Sequence, residues 1–317
     1  MPLLNTIGGG SIRSYGRGLG GDVGLYPFTD ATFSPGGATY RIGPTLTQAR
    51  AGLTGTGTSA WKNNTSFFNV TGTGIQLWTV PVTATYRITC VGAQGANDGY
   101  NGGVGGYGAS IRGDFPLTEG YNIRLVAGQR GQTETGSAWG GGGGGGGSFL
   151  WHEYSYPPAT PIIAAGGGGC GNKLGSQNNG QAAGSVNSYG GYGGNNGHPA
   201  GTNGFTSTGT ACNGGSGQGW KGGTTKICGS YYAWPALYVN PTGLIGYSAG
   251  NTGAGGFGGG GGSWGGGGGG GGYSGGGGAG WSYSGNGGGG GSYVAGTNQS
   301  NTAGASAGEG YITVVKL

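Results

Sequence analysis

Residues 139–151 read Trp-Gly-Gly-Gly-Gly-Gly-Gly-Gly-Gly-Ser-Phe-Leu-Trp, so that eight consecutive glycines run directly into an apolar segment. Glycine makes up 94 of the 317 residues, and only 7% of the residues are charged. Ordering a backbone costs roughly 1–2 kcal/mol per residue, and more for glycine, so a flexible linker is the simplest alternative. The glycine-rich segments nevertheless carry large aromatic side chains and almost no charge, which favours ordered packing. These aromatic residues are Trp264, Tyr273, Trp281, Tyr283 and Tyr293.

Polyglycine has a form in which such packing is possible. It is an extended left-handed helix with three residues per turn and a rise of about 3.1 Å per residue. Helices without side chains approach closely enough for N–H and C=O groups to pair between neighbours, which satisfies the backbone. We therefore expect an inserted polyglycine-II helix bundle with its loops at its ends. The aromatic residues of the glycine segments either seal this bundle as core or are exposed for contact.

The segments outside the glycine runs predict β-strands. Short apolar and β-branched stretches alternate with turn residues, including Pro81 and Glu119-Gly120, and we interpret them as hairpins of a jelly-roll β-sandwich. The predicted strands are Gln76–Val80, Thr85–Val91, Ala109–Phe115, Tyr121–Ala127, the pair Ser148–Trp151 and Pro161–Ala165, and Tyr311–Leu317. A single short helix is predicted at Pro44–Leu53, with the proline in its first turn. The fold class is thus all-β, with little α-helix.

The sequence divides into an N-terminal arm, residues 1–30, and one glycine-rich β-sandwich domain, residues 31–317. Within the domain, residues 31–135 are mainly strands, residues 136–310 are polyglycine tracts and loops, and residues 311–317 are the closing strand. The arm is too short to hold a core of its own and is expected to dock on a partner or on the body. Its docking candidates are Ile12, Arg13, Tyr15, Arg17 and Leu19.

Charge and cysteine content exclude several protein classes. The net charge of +5 arises from basic residues spread thinly along the chain, and arginine does not recur in the glycine tracts, so we expect no nucleic-acid partner. The four cysteines show no CxxC spacing, which argues against a zinc site and leaves disulfide pairing open. Neither a signal peptide nor a run of roughly 20 apolar residues is evident. We expect synthesis in a cytoplasm without membrane insertion.

Catalytic motifs are also absent from the sequence. Glycosidase chemistry requires two carboxylates at a controlled separation, whereas the acidic residues here are scattered among turns. Matches to glycine-rich phosphate loops mean little in a chain so rich in glycine. We expect no enzyme activity, no metal and no cofactor. The less favoured alternative is a polysaccharide depolymerase, and its candidate acids are Asp98, Asp114, Glu119, Glu134 and Glu153.

An ordered set of motifs resembles the glycine-rich extracellular domain of the anaplastic lymphoma kinase and leukocyte tyrosine kinase receptors. The motifs are Gly74-Ile-Gln-Leu-Trp-Thr-Val-Pro81, Thr85-Tyr-Arg-Ile88, Val91-Gly-Ala-Gln-Gly95, Val126-Ala-Gly-Gln-Arg-Gly131, Trp139 with its glycines, and Pro161-Ile-Ile-Ala-Ala-Gly166. The resemblance covers about residues 65–317. It implies a β-sandwich like that of tumour necrosis factor, carrying glycine helices and binding a protein ligand. This chain lacks a kinase domain, so receptor signalling does not carry over.

The opening Met1-Pro-Leu-Leu-Asn-Thr-Ile-Gly-Gly-Gly-Ser-Ile-Arg-Ser-Tyr-Gly-Arg-Gly-Leu19 is similar to the N-terminal segments of phage virion and tail-appendage proteins. Distal adhesins of T-even phages offer a parallel in polyglycine architecture, without a segment-by-segment match. The combination predicts a phage tail-fibre or tail-tip protein that is located on the virion and attaches it to a host. The alternative is a purely structural virion protein of the baseplate, collar or capsid decoration.

This hypothesis names partners and contact residues. The arm is expected to bind other tail proteins, and the body a host cell-surface protein or glycan. A homotrimer is plausible because the fibres it resembles are commonly trimeric. Aromatic residues in the polar loops around 187–236 are the receptor-contact candidates, namely Tyr189, Tyr192, Trp220, Tyr231, Tyr232 and Trp234.

Overall fold

A computed structural model gives the fold of most of the chain. It describes residues 24–99, 102–133, 141–153, 161–171, 210–211, 214–220, 223–224, 226–227, 235–236, 245–246, 253–263, 266–279 and 285–317. The structure is mostly antiparallel β-sheet, as the composition and turn pattern predicted.

Two antiparallel sheets dominate the described residues. The first has the order β1-β15-β4-β5-β14, and the second has the order β13-β8-β7-β6-β3-β2. The strands of the first sheet are β1 (Asp30–Phe33), β4 (Ala84–Val91), β5 (Gly108–Leu117), β14 (Thr297–Ser306) and β15 (Tyr311–Lys316). Those of the second are β2 (Phe68–Thr71), β3 (Ile75–Thr79), β6 (Asn122–Val126), β7 (Ser148–His152), β8 (Ile163–Ala165) and β13 (Tyr293–Val294).

Two further pairs of short strands lie in the glycine-rich part of the chain. β9 (Thr210–Ala211) pairs in parallel with β11 (Lys226–Ile227), and β10 (Gly223–Thr224) pairs antiparallel with β12 (Pro235–Ala236).

The predicted strands are confirmed within a few residues, but the way they are connected is not. β3 and β4 were expected to form a hairpin across Pro81, and β5 and β6 a hairpin across Glu119-Gly120. Instead, each of these turns carries the chain from one sheet to the other. Of the predicted pairs, only β7 with β8 is a true neighbour pair. The last strand lies inside the first sheet between β1 and β4, so the C-terminal residues complete the sheet.

Alternating side chains from both sheets meet in one core. In β4, Tyr86, Ile88 and Cys90 point inward and are fully buried, while the residues between them are more exposed. Trp78 of β3 packs edge-on against Tyr86 with ring centroids 5.8 Å apart, which joins the two sheets directly. Each such fully buried large side chain contributes about 1.5–3 kcal/mol relative to exposure. The two sheets therefore form a sandwich around a shared apolar core.

Two short helical elements precede β2. Helix α1 (Leu46–Gly52) confirms the predicted helix, and a 3₁₀ turn follows at Thr58–Ala60. Thr45 and Gln48 close the start of α1 with a capping box, in which each side chain bonds the other residue's backbone N–H.

The described part of the predicted arm is packed into the sandwich. Tyr26 and Phe28 are both buried, and the Tyr26 hydroxyl donates to the carbonyl of Thr79. The ring of Phe28 packs against that of Trp78, with ring centroids 5.4 Å apart. The boundary drawn at residue 30 therefore falls inside the packed unit. The docking candidates at residues 12–19 lie outside the described residues.

Candidate functional site: the glycine-rich end of the sandwich

The long glycine-rich connections all leave the same end of the sandwich. β4 runs toward this end and β5 runs away from it, so the 92–107 connection lies there. Because β6, β7, β8 and β13 are antiparallel neighbours, two further connections leave from this end. They are 127–147, between β6 and β7, and 166–292, between β8 and β13. We call this the glycine end. The opposite arm end carries the turns 80–83 and 118–121, together with Leu25, whose N–H donates to the carbonyl of Pro81 at 2.7 Å.

Backbone hydrogen bonds between the glycine segments at the glycine end repeat every three residues. Successive N–H groups of residues 143–147 donate in rotation to segments 129–132, 258–261 and residue 168. The bonds are Gly143 to Gln132 (3.0 Å), Gly144 to Gly261 (2.8 Å), Gly145 to Gly168 (2.8 Å), Gly146 to Gln129 (2.9 Å) and Gly147 to Gly258 (2.9 Å). The direction of the N–H groups therefore returns after three residues.

The carbonyls of the same run accept bonds from three other directions. Their donors lie in segments 93–96, 254–256 and 268–271. The bonds are Gly268 to Gly142 (3.0 Å), Ala96 to Gly143 (2.9 Å), Gly256 to Gly144 (2.9 Å), Gly271 to Gly145 (2.9 Å) and Ala93 to Gly146 (3.0 Å). The run 142–147 is thus surrounded by hydrogen-bonded backbone, which accounts for its buried polar groups.

A second run shows the same rotation without interruption. Every N–H from residue 267 to residue 272 donates to a neighbouring segment, in the order 285, 142, 215, 288, 145 and 218. Acceptors three positions apart in this order differ by three residues, so the run is aligned in parallel with each of its three neighbours.

Glycine is required in these runs because there is no room for a side chain. A Cβ atom on Gly143 would be 1.9 Å from the carbonyl oxygen of Ala254, and one on Gly146 would be 1.7 Å from that of Phe257. Real Cβ contacts essentially never fall under 3.0 Å. In the run 141–147, only Gly141 has the positive φ that by itself favours glycine. The restriction on the other residues is steric.

An aromatic seam joins the second sheet to the glycine segments. Its members are Phe149 and Trp151 of β7, Tyr293 of β13, and Trp220, Phe257 and Tyr273 from the glycine-rich part. Trp220 packs edge-on against Trp151 at 5.4 Å and lies 5.6 Å from Phe149. Burial raises the pKa of the Tyr273 hydroxyl, whose ring stacks on Tyr293 at 4.7 Å. Phe257 and Tyr273 are therefore core residues, which is one of the two roles predicted for aromatic residues in the glycine segments.

Trp220 requires a correction to the predicted contact set. It was proposed as a receptor contact, but its side chain is only 2% exposed and belongs to the aromatic seam. Its large apolar ring is held between the sheet and the glycine segments. The other receptor-contact candidates, Tyr189, Tyr192, Tyr231, Tyr232 and Trp234, lie outside the described residues, as do Trp264 and Trp281.

Ser148, at the boundary between the run 141–147 and β7, links three parts of the fold. Its hydroxyl donates to the carbonyl of Val91 in the first sheet at 2.6 Å and accepts from the N–H of Gly128 at 2.9 Å. The side chain is fully buried. Because Gly128 follows β6, this one hydroxyl ties both sheets to the base of the glycine segments.

Sequence reasoning missed one exposed feature at the glycine end, which we call the 40–42 tip. Tyr40, Arg41 and Ile42 are all exposed, Tyr40 by 44% and Ile42 by 57%. Their backbone is fixed, because the carbonyl of Tyr40 accepts from Phe257 N–H at 2.6 Å and that of Arg41 accepts from Gly246 N–H at 2.9 Å. The only available signal was an aromatic, basic and aliphatic triplet between Gly36-Gly37 and Gly43-Pro44.

Asp114 and Glu153, two of the candidate acids, are engaged in structural contacts. Asp114 accepts two bonds from Arg87, both at 2.8 Å, and one from Asn298 at 2.9 Å. The bonds from Arg87 and Asn298 lower the pKa of Asp114 to about 2, so it stays ionised. Glu153 accepts from Asn122 at 2.7 Å and pairs with Arg124 at 3.4 Å. Glu134 lies outside the described residues.

Burial lowers the pKa of His152, at the end of β7. Among the described residues, no group of three or more His, Cys, Asp or Glu side chains is arranged to hold a metal ion. None of the described helices has the length and apolar character needed to cross a membrane. No protein-family model matches the chain.

Proposed function

We propose that this chain is a phage virion attachment protein of the tail fibre or tail tip, which mediates binding to the host surface. The observation that carries the proposal is the two-ended layout of the fold. Leu25, close to the first described residue, is bonded to Pro81 at the arm end, while the long glycine-rich connections leave from the glycine end. An attachment protein needs one end for the particle and another for the host, and a two-ended layout supports this division of roles.

We infer that the glycine segments form a polyglycine-II bundle. The three-residue rotation of the hydrogen bonds in 143–147 and 267–272 supports this inference, since three residues per turn is the period of that helix. In a side-by-side array of such helices, each helix donates hydrogen bonds to neighbours in three directions and accepts them from neighbours in three others. The run 142–147 has this arrangement of bonds. The close approach at Gly143 and Gly146 supports it independently.

The sandwich itself is proposed to be a jelly roll, like that of tumour necrosis factor. Crossing of the chain between sheets at the 80–83 and 118–121 turns supports this topology over a simple series of hairpins. The resemblance of residues 65–317 to a ligand-binding receptor domain, and of residues 1–19 to virion proteins, points to the same combined role.

A bundle of this kind suits attachment because it is stiff and uncharged. Its interior is hydrogen-bonded backbone, so little of the bundle can rearrange when a loop at its end binds a ligand. Loops on a rigid scaffold are where binding residues concentrate. The proposed partners are other tail proteins at the arm, through Ile12, Arg13, Tyr15, Arg17 and Leu19, and a host cell-surface protein or glycan at the loops around 187–236. Assembly as a homotrimer is part of the proposal.

Binding of purified full-length protein to a panel of bacterial cells tests this function. We expect binding to one strain, and loss of that binding when Tyr231, Tyr232 and Trp234 are changed to Ala. A Tyr121→Ala variant is the control, since this exposed tyrosine lies at the arm end. Circular dichroism would verify that all variants fold. Absence of binding to every strain that the parent particle infects would favour a structural virion subunit, and release of glycan fragments would favour a depolymerase.

A further inference from the structure

The 40–42 tip combines three features that structural needs alone do not explain. Tyr40 has φ of 63°, in the left-handed region, and the only other described non-glycine residue there is Asn298, of a type that tolerates it. A bulky residue in this conformation is strained. Glycine or asparagine would form the same turn with less strain. The position instead carries a tyrosine that is 44% exposed, two residues before the exposed Ile42.

Arg41 adds an exposed positive charge that has no ion-pair partner among the described residues. The ion pairs within the described residues are Arg87 with Asp114 and Arg124 with Glu153, and Arg41 belongs to neither. Its backbone carbonyl is bonded to Gly246, which fixes the point from which the side chain extends. The exposed Arg41 side chain lies between two apolar residues along the chain.

The size of the tip indicates the kind of ligand. A stable protein interface covers about 800 Å² on each partner, far more than three side chains provide. A single sugar ring is of the right size, because its C–H face packs on an aromatic or aliphatic surface. A planar guanidinium matches a carboxylate through two parallel hydrogen bonds. The tip thus presents two exposed apolar residues that flank, in sequence, a group able to bind a carboxylate.

We propose that Tyr40, Arg41 and Ile42 form a contact site for an acidic sugar, a uronic acid unit of a bacterial surface polysaccharide. The proposal rests on the attachment function and gives it a ligand class and a site apart from the 187–236 loops. Arg41 binds the carboxylate, while Tyr40 and Ile42 cover the apolar face of the sugar ring. A polymer repeats its unit, so weak contacts at several copies of the protein add up.

Binding of full-length protein to alginate, a polymer of uronic acids, tests the site. Dextran serves as a neutral polysaccharide and polyphosphate as an anionic polymer without sugar. We expect binding to alginate alone. Arg41→Gln should weaken it at least tenfold and Arg41→Lys less, because lysine keeps the charge without the two parallel bonds. Tyr40→Asn should weaken it severalfold while leaving the thermal midpoint equal or higher, since it relieves strain; Tyr121→Ala should change nothing.

Several results would overturn the proposal. These are no alginate binding at millimolar uronate, alginate binding that Arg41→Gln leaves intact, or binding to polyphosphate as strong as to alginate. Adsorption of the parent particle separates this idea from the attachment function. If the protein blocks adsorption but the tip variants block equally well, the tip is not the site and the attachment function stands. If the tip binds alginate but the protein never blocks adsorption, the attachment function fails and the sugar site stands.

Discussion

Gly144 lies so close to Gly269 that a Cβ atom on Gly144 would be 2.0 Å from the carbonyl oxygen of Gly269. The two residues are 125 positions apart in sequence (269 − 144) and belong to different runs. Each is hydrogen-bonded to other segments, Gly144 to Gly261 and Gly269 to Gly215. Neither backbone can therefore shift to admit a methyl group without breaking its own bonds. This relation explains why so much of the chain is glycine.

Gly144→Ala is expected to destabilise the protein by about 3 kcal/mol or more, at or above the upper end for overpacking, because both backbones are fixed. Gly37→Ala is the matched control. Gly37 has φ of 87° but nothing within 4 Å of an added Cβ, so its cost is conformational only, roughly 1–2 kcal/mol. Denaturant unfolding would measure both. Equal effects would mean that the runs are not closely packed.

Ser148→Ala is expected to cost roughly 1–3 kcal/mol, because the buried N–H of Gly128 loses its acceptor and the carbonyl of Val91 loses the Ser148 donor. Ser300→Ala, on the exposed edge strand β14, is the control and should be close to neutral. Unfolding in urea compares the two variants. A neutral Ser148→Ala would show that the hydroxyl does not tie the sheets to the glycine segments.

Trp220→Ala is expected to cost about 3–5 kcal/mol, because it empties the centre of the aromatic seam. Trp220→Phe should recover part of the loss. Thermal unfolding measures the role of Trp220 in the core. Cell binding, measured on folded protein at low temperature, measures its role as a receptor contact. A Trp220→Ala variant as stable as the wild type that no longer binds cells would restore Trp220 as a contact residue.

Stability at low pH should depend on Asp114. Its pKa is about 2 in the folded protein and close to 4 in the unfolded chain. A lowered folded-state pKa contributes stability above the unfolded value, and this contribution is lost as pH falls from about 5 to about 2. Asp114→Asn should therefore lower the thermal midpoint at pH 6 and flatten its fall between pH 5 and pH 2. An unchanged slope would show that the pair with Arg87 does not contribute.

The alternating segments of the sandwich were predictable because burial imposes a period of two on a strand. Tyr86, Ile88 and Cys90 illustrate this in β4. Strand pairing was not predictable, because a short turn containing Pro81 serves equally well for a hairpin and for a crossing between sheets. β14 was missed altogether. Its sequence Thr-Asn-Gln-Ser-Asn-Thr-Ala-Gly-Ala-Ser is polar and mostly exposed, and its pairing with β5 defines the strand without any apolar alternation.

The site was less predictable than the fold. Exposed and buried aromatic residues look alike when both are surrounded by glycine, so Trp220 was assigned to the surface although it is buried. The 40–42 tip consists of only three residues, which are too few to show the apolar periodicity of a strand or a helix. The tip is recognised by its hydrogen-bonded backbone and by the positive φ of Tyr40, and both are evident only in the three-dimensional structure.

The most direct test of the proposed attachment function is inhibition of phage adsorption by the purified full-length protein. Host cells would be incubated with the protein before the parent particle is added, and free particles would be counted over time. We predict a dose-dependent fall in the adsorption rate, and no effect from the folded Tyr231, Tyr232 and Trp234 triple alanine variant. Adsorption that is unchanged at saturating protein, with antibody labelling on the capsid, collar or baseplate, would contradict the account and identify a structural virion subunit.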